Sequence, residues 1–274
     1  MKKIKIETLS DKIKADLKSS KNYIIFILVL FLLSTLVGVA AADLLKDLIN
    51  PVLEEMISKT ENLNTIELIM FIFFNNSFTS LGAILFGIIA GIMPLVTTVT
   101  NGVVLGYVIE RVSQVTGLGE LWRLFPHGIF ELPAVFISIA LGLKIGIQPL
   151  ANYLKYYRKK TRFMNFLPFF IALVLSLLAI STMLTINAGK NIKLDIPENF
   201  IIPFMSIAAI IFYFAITSII FILFTAIKDK KLRKIQVSSI KENFRSSIRL
   251  FAFLIVPLLF VAAIIEGILI FILP

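Results

Sequence analysis

Long apolar runs constrain this chain more than any other feature of its sequence. Several stretches of about 20 residues carry no charge, which is the length and composition a helix needs to cross the hydrocarbon core of a membrane. Hydrophobic residues make up 58% of the 274 residues, against roughly 45–50% in soluble domains. The sequence therefore predicts an all-α, polytopic transmembrane helical bundle.

The apolar runs predict six or seven spans within a single integral membrane domain, 1–274. Their predicted bounds are 23–42, 66–93, 95–109, 126–146, 163–186, 200–227 and 250–273. As one helix, 66–93 would be about 42 Å long, more than a hydrocarbon core of about 30 Å. Because Asn75-Asn76 lies inside it, we predict a break or a strong tilt there, and Asn101-Gly102 interrupts the next run. Interrupted or short helices are thus predicted over 66–109, as two spans or as a re-entrant pair.

Two segments outside the spans have apolar residues at helical period. Residues 1–22 carry an apolar stripe with lysines outside it, which predicts a basic amphipathic helix on the cytoplasmic surface. Residues 43–61 place two apolar rows beside an acidic face, which predicts an amphipathic helix on the outer surface. Asn64-Thr65-Ile66-Glu67 then has the pattern of a capping box that opens a helix.

The net charge of +10 is concentrated beside the spans. Basic blocks lie at 1–22, 155–162 and 228–249, as expected of short cytoplasmic segments that set topology and contact anionic lipid head groups. We therefore predict a multi-pass protein of the cell membrane, with a cytoplasmic N-terminus, an outer C-terminus and no nucleic-acid partner. The chain has no cysteine, so disulfides and thiolate metal ligands are excluded.

Small residues recur four positions apart within the spans. This spacing lets helix backbones approach closely in lipid and predicts a tightly packed bundle. The glycine pairs are Gly87/Gly91, Gly102/Gly106 and Gly142/Gly146.

The sequence offers one candidate site of ionisable residues, which includes His127, the only histidine in the chain. On a helix, His127 and Glu131 share a face, and helical rise from the predicted span ends puts Glu266 at a similar depth in the outer leaflet. Three hypotheses follow for these residues. They bind a divalent metal, with zinc favoured by the nitrogen and oxygen donors; they form a polar network that fixes helix packing; or they carry protons or cations. The same arithmetic adds a polar layer slightly deeper, made of Asn75, Asn76 and Asn101.

Two further polar features lie near the predicted cytoplasmic ends of spans. Lys144 is expected to extend its ammonium group to the surface. Leu17-Lys18-Ser19-Ser20 before the first span is echoed by Phe244-Arg245-Ser246-Ser247 before the last. A parallel repeat and biased composition both explain this echo.

Several of these motifs resemble the stage II sporulation protein M family of multi-pass membrane proteins. The matching elements are Asn75-Asn76, the glycine-rich run to Pro94, Asn101-Gly102, Pro126-His127-Gly128-x-x-Glu131-Leu132-Pro133 and Ala262-Ala263-x-x-Glu266. The resemblance implies a multi-pass fold and importance for His127, Glu131 and Glu266. The sporulation member acts in forespore engulfment, within a membrane complex that includes a peptidoglycan hydrolase.

We expect a non-enzymatic membrane protein that scaffolds or assists a membrane complex, in contact with the bilayer and with a membrane-protein partner or further copies of itself. The second hypothesis is a membrane-embedded hydrolase that uses metal-activated water. A cation- or proton-coupled transporter is third, because the predicted inner halves of the spans hold few polar residues.

Overall fold

A computed structural model describes residues 8–87, 91–117, 119, 121–122, 125–157 and 228–272. Within these ranges there are helices and no β-strand, so the predicted all-α fold is confirmed. Five of the described helices are long and apolar enough to cross a membrane. The predicted spans 163–186 and 200–227 lie outside the described residues.

Seven α-helices and one π-helical turn have defined bounds in the described part of the chain. In order they are α1 (Leu9–Ala40), α2 (Ala42–Thr60), α3 (Thr65–Phe86), α4 (Ile92–Thr116), α5 (Phe125–Tyr157), α6 (Lys230–Leu250), the π-helical turn (Phe251–Ile255) and α7 (Val256–Ile272). The described part of the basic segment 1–22 and the first predicted span form one continuous helix, α1, because no helix-breaking residue separates them. The basic α6 likewise leads through the π-helical turn into the last apolar helix.

Capping boxes fix where two of the apolar helices begin. The side chain of Asn64 accepts hydrogen bonds from the backbone N–H groups of Ile66 and Glu67, each at 3.0 Å, and Glu67 accepts one from the N–H of Asn64 at 2.9 Å. This capping box was predicted from the sequence. Thr8 and Asp11 form a second one at the start of α1. Each box satisfies backbone donors that the first turn leaves without helical partners.

The predicted interruption over 66–109 is confirmed, and it lies between α3 and α4. α3 ends at Phe86, α4 begins at Ile92, and each is long and apolar enough to cross a membrane. Gly91 has a φ of 71°, a left-handed conformation that glycine adopts without the steric cost a side chain would bring. The turn therefore needs glycine at this position.

The predicted breaks at Asn75-Asn76 and at Asn101-Gly102 were wrong, because both pairs lie inside continuous helices. The side chain of Asn101 donates to the carbonyl oxygen of Thr97 in its own helix at 2.8 Å. An amide that bonds within its helix in this way leaves the backbone hydrogen bonds intact. Asparagine alone therefore did not interrupt either helix.

The centre of the bundle is α5. Residues 136–145 are ten consecutive buried positions, which means that neighbouring helices cover this helix on every side. Its residues Ala134, Ile137 and Leu141 share one apolar core with Ile84 of α3 and Leu259 of α7. In the other candidate spans most residues are exposed or half-buried, as expected of helices that face lipid.

α1 and α4 run parallel, and α2 folds back along α4. Close contacts join residues 31–39 of α1 to residues 102–106 of α4 in ascending order on both helices. Tyr107 of α4 donates a hydrogen bond to Asn50 of α2, and Arg111 binds the carbonyl oxygen of Ala42 at 3.1 Å and the carboxylate of Asp43 at 3.0 Å. The order of these contacts makes α2 antiparallel to α4.

The chain divides into two compact units, 1–145 with 243–274 and 146–242. In the described part of the second unit, Tyr153 of α5 packs against the fully buried Leu232 of α6. Gln236 donates to the carbonyl oxygen of Pro149 at 2.8 Å and accepts from Asn152 at 3.2 Å. The predicted single domain stays a prediction.

Candidate functional site

We describe the positions of the candidate sites relative to the two ends of the first unit. We call the end where α1 begins, at Leu9, the proximal end, and the end where α1 finishes, at Ala40, the distal end. α5 runs antiparallel to α1, since Phe136 packs edge to face against Phe31, with 4.9 Å between ring centroids, while Lys144 binds Ser20. The start of α5 therefore lies at the distal end.

α7 reaches the distal end by packing antiparallel to α3. Phe260 contacts Phe73 edge to face with 5.4 Å between ring centroids, and further along α7, Gly267 lies directly against Ile69. Ala263, between them, belongs to one apolar cluster with residues of α3. This seam fixes the position of the residue next to Gly267, the carboxylate-bearing Glu266.

The two predicted acidic residues lie at similar depths. Glu131 is six residues from the start of α5 and Glu266 is six residues from the end of α7, which is about 9 Å from the distal end for each at helical rise. Both are half-buried. His127 lies in the first turn of α5, and its side chain is outside the described structure.

Among the described residues, no three histidine, aspartate or glutamate side chains are arranged to hold a metal ion. Of the three predicted metal ligands, Glu131 and Glu266 have side chains that the structure describes. The metal site at His127, Glu131 and Glu266 therefore stays a prediction, as does the choice of zinc.

The predicted deeper layer lies partly on outward faces of the helices. Asn75 and Asn101 are exposed, and Asn76 is half-buried. Asn75 donates to the side chain of Asn76 at 3.4 Å, whereas Asn101 is bonded to Thr97 within α4 at 2.8 Å. The structure therefore places these two exposed amides away from the apolar core around α5.

Two glycine seams hold the bundle together. A Cβ at Gly102 would lie 2.7 Å from the Cβ of Ser34 and 2.8 Å from the carbonyl oxygen of Phe31, and one at Gly106 would overlap the backbone of Thr35. Gly38 of α1, which the glycine pairs did not include, lies against the backbone of α4 in the same way.

The second seam joins α3 to α5. A Cβ at Gly87 would overlap the backbone of Gly142, and one at Gly142 would overlap the carbonyl oxygen of Ala83 and lie 3.0 Å from Pro94. Gly146 is also buried in α5. Gly91, by contrast, lies in the turn before α4.

Sequence reasoning missed a polar cluster at the proximal end. Lys144 is only 8% exposed, and its ammonium group donates to the hydroxyls of Ser19 at 2.9 Å and Ser20 at 3.3 Å. The expectation that Lys144 reaches the surface was therefore wrong, because the hydroxyls of α1 provide hydrogen bonds inside the bundle. Arg249 binds the carboxylate of Asp16 at 2.7 Å one turn away. The sequence signal that could have found this cluster is the serine pair Ser19-Ser20, which recurs as Ser246-Ser247 before the last span.

Comparison with known families matches residues 27–188 to the family described as Stage II sporulation protein M. The match covers more than half of the 274 residues and contains all of α2, α3, α4 and α5. No curated protein and no solved structure matches the chain. The five long apolar helices and the family together identify an integral membrane protein. The chain belongs to the stage II sporulation protein M family.

Proposed function

We propose that this protein is a membrane scaffold, which binds a partner membrane protein through the outward face of α3. The observation that supports the proposal is the exposed amide of Asn75. This residue lies ten positions after Thr65, the first residue of α3, and eleven before Phe86, the last. In a helix that crosses the membrane, its side chain is then at the level of the bilayer centre.

A primary amide is unfavourable in hydrocarbon unless its donors and acceptor are satisfied. Within the described part of the chain, Asn75 has a single hydrogen bond, the 3.4 Å contact to Asn76. Asparagine side chains of this kind bind across membrane helices. A hydrogen-bonding side chain on a partner helix at the same depth satisfies the amide of Asn75, whereas the hydrocarbon chains of lipid cannot form hydrogen bonds with it.

The residues around Asn75 suit a packed helix interface. Phe71, Phe74 and Phe78 lie on the same outward face, and Phe78 is 69% exposed. Aromatic side chains bury a large area on contact. The proposed partner surface therefore combines one central amide with three aromatic rings.

The two acidic residues near the distal end, Glu131 and Glu266, have a supporting role in this proposal, and we call them the distal acids. Glu131 and Glu266, with His127, stabilise the bundle at the outer end, through a divalent ion or through a polar network. The N-terminus is cytoplasmic in this proposal, since the described start of α1, at the proximal end, is rich in lysine. Scaffolding then requires no turnover of a substrate.

Co-purification from native membranes in a mild detergent tests the proposal with two matched variants. Asn75→Leu removes the exposed amide and suits a lipid-facing position, so the protein itself should remain folded. An interhelical hydrogen bond in a membrane contributes about 0.6–1.7 kcal/mol, so we expect partner recovery to fall about three- to twentyfold. Asn101→Leu, at an amide bonded within its own helix, should leave recovery unchanged.

Three outcomes of this experiment would count against the proposal, each for a different reason. Equal loss of the partner in both variants would show that the α3 face is not specific. Recovery of this chain alone, in repeated preparations, would contradict the scaffold function. Recovery of only a second copy of the chain would replace scaffolding with self-association.

A further inference from the structure

Within the described part of the chain, three polar side chains on one face of α6 have a buried atom without a hydrogen-bond partner. They are the amide nitrogen of Asn243 and the hydroxyls of Ser246 and Ser247, in residues that are 9%, 5% and 1% exposed. Buried polar groups are nearly always satisfied in folded proteins. Three such groups within two helical turns therefore point to a ligand.

These side chains face the interior of the first unit at its proximal end. Leu250, one turn after Ser246, is fully buried in the same apolar core as Ile145 of α5. Residues three and four apart share a helical face, so Asn243, Ser246 and Ser247 face inward with Leu250. α1, α5 and α6 meet at this point.

Positive charge is close to these donors. Arg249, two residues after Ser247, binds the carboxylate of Asp16 at 2.7 Å, which holds the end of α6 against α1. One turn along α1, the hydroxyls of Ser19 and Ser20 accept from the ammonium group of Lys144. Basic side chains of α5 and α6 are therefore bound by α1 in this part of the unit.

We propose that the three unsatisfied donors of α6, Asn243, Ser246 and Ser247, which we call the proximal donor cluster, bind the phosphate group of an anionic phospholipid. Each unsatisfied group is a hydrogen-bond donor, and phosphate offers several charged oxygen acceptors to such donors. A cluster built for a metal cation would instead require carboxylates.

The level of the cluster favours a lipid as the source of the phosphate. Ser19 and Ser20 come just before the uncharged run that begins at Tyr23, and Ser246 and Ser247 come just before the apolar turn that begins at Phe251. Both serine pairs therefore lie where the apolar spans begin, at the depth of lipid head groups. Anionic lipids are attracted by basic residues at this depth.

The test uses purified full-length protein, depleted of lipid in detergent, with three separate probes: phosphatidylglycerol, phosphatidylcholine and inorganic phosphate. Native mass spectrometry measures retained lipid, and thermal unfolding measures stabilisation. We expect phosphatidylglycerol to be retained and to raise the unfolding midpoint. The double variant Ser246→Ala/Ser247→Ala should bind it about tenfold more weakly, which is about 1.4 kcal/mol.

The same double variant separates ligand binding from folding. Because the two hydroxyls have no partner within the described chain, replacing them by methyl groups should leave the unfolding midpoint without lipid unchanged or slightly higher. The matched control is Ser138→Ala, at a buried serine of α5 that is already bonded to the carbonyl oxygen of Ala134 at 2.8 Å. This variant should retain the full response to phosphatidylglycerol.

Three results would overturn the proposal. One is equal binding of phosphatidylglycerol by the wild-type protein and the double variant. A second is equal binding of phosphatidylglycerol and phosphatidylcholine, which would indicate non-specific lipid association. The third is equal stabilisation by inorganic phosphate, which would exclude a lipid as the source.

Discussion

Substitution of Gly106 by alanine should separate two helices that the structure places in backbone contact. The new Cβ would overlap the carbonyl oxygen of Thr35 and lie 2.8 Å from the backbone nitrogen of Val39. These are backbone atoms, so no side-chain rotation can relieve the overlap. α1 and α4 would have to move apart along the seam.

The cost can be estimated from this geometry. Non-bonded heavy atoms are most stable at about 3.5–4.0 Å, so the Val39 contact alone requires a shift of about 0.7 Å or more. Inserting a methyl group into a well-packed interface typically costs about 1–3 kcal/mol. We expect Gly106→Ala to lower the free energy of unfolding by that amount.

The assay is reversible unfolding by SDS in mixed micelles, followed by circular dichroism. The matched control is Gly82→Ala in α3, where the nearest atom, in the side chain of Phe86, would be 3.8 Å from the new Cβ. This is ordinary van der Waals contact, and alanine is about 0.5–1 kcal/mol better than glycine inside a helix. Gly82→Ala should therefore be neutral or stabilising. Equal effects of the two substitutions would refute the packing argument.

Three further predictions concern single contacts. Asp16→Asn removes the charge that pairs with Arg249 in a partly buried site, and should cost about 1–3 kcal/mol in the same unfolding assay. A charge-exchanged double variant that regained none of this stability would count against the ion pair. Tyr107→Phe removes the hydrogen bond to Asn50, and should cost about 0.5–1.5 kcal/mol and speed proteolysis within α2; unchanged proteolysis would show that this contact does not hold α2. Elemental analysis of the purified protein should find stoichiometric divalent metal that Glu266→Gln loses, if the distal acids form a metal site; absence of metal from the wild-type protein would refute that hypothesis.

The helical membrane fold could be predicted because length and hydropathy determine it locally. The apolar run after Asn64 has the composition of a span, and the capping box at its start specifies where the helix begins. The interruption before α4 was predictable for a different reason, since 66–93 was too long for one straight crossing. Its location at Gly91 was not predicted, because left-handed geometry depends on how the chain turns between two packed helices.

The environment of individual polar residues could not be predicted from one sequence. Lys144 was expected at the surface, yet hydroxyls of α1 bind it inside the bundle. Asn75 was predicted in a polar layer slightly deeper than Glu131 and Glu266, and the structure places it on the outward face of α3. Helical period shows which residues share a face, but the packing of distant helices decides which face is covered. Span depth, by contrast, placed Glu131 and Glu266 at similar levels, because it depends only on helical rise.

Site-specific photocrosslinking in native membranes tests the scaffold function most directly. A photoreactive residue at Phe78 of α3 should give an adduct with another membrane protein, because Phe78 is 69% exposed one turn from Asn75. The same residue at Leu36 of α1, which is 65% exposed on a purely apolar face, should give none. Asn75→Leu should lower the yield of the adduct at Phe78 by about three- to twentyfold. Adducts of equal yield at both positions, or none at Phe78, would contradict the account.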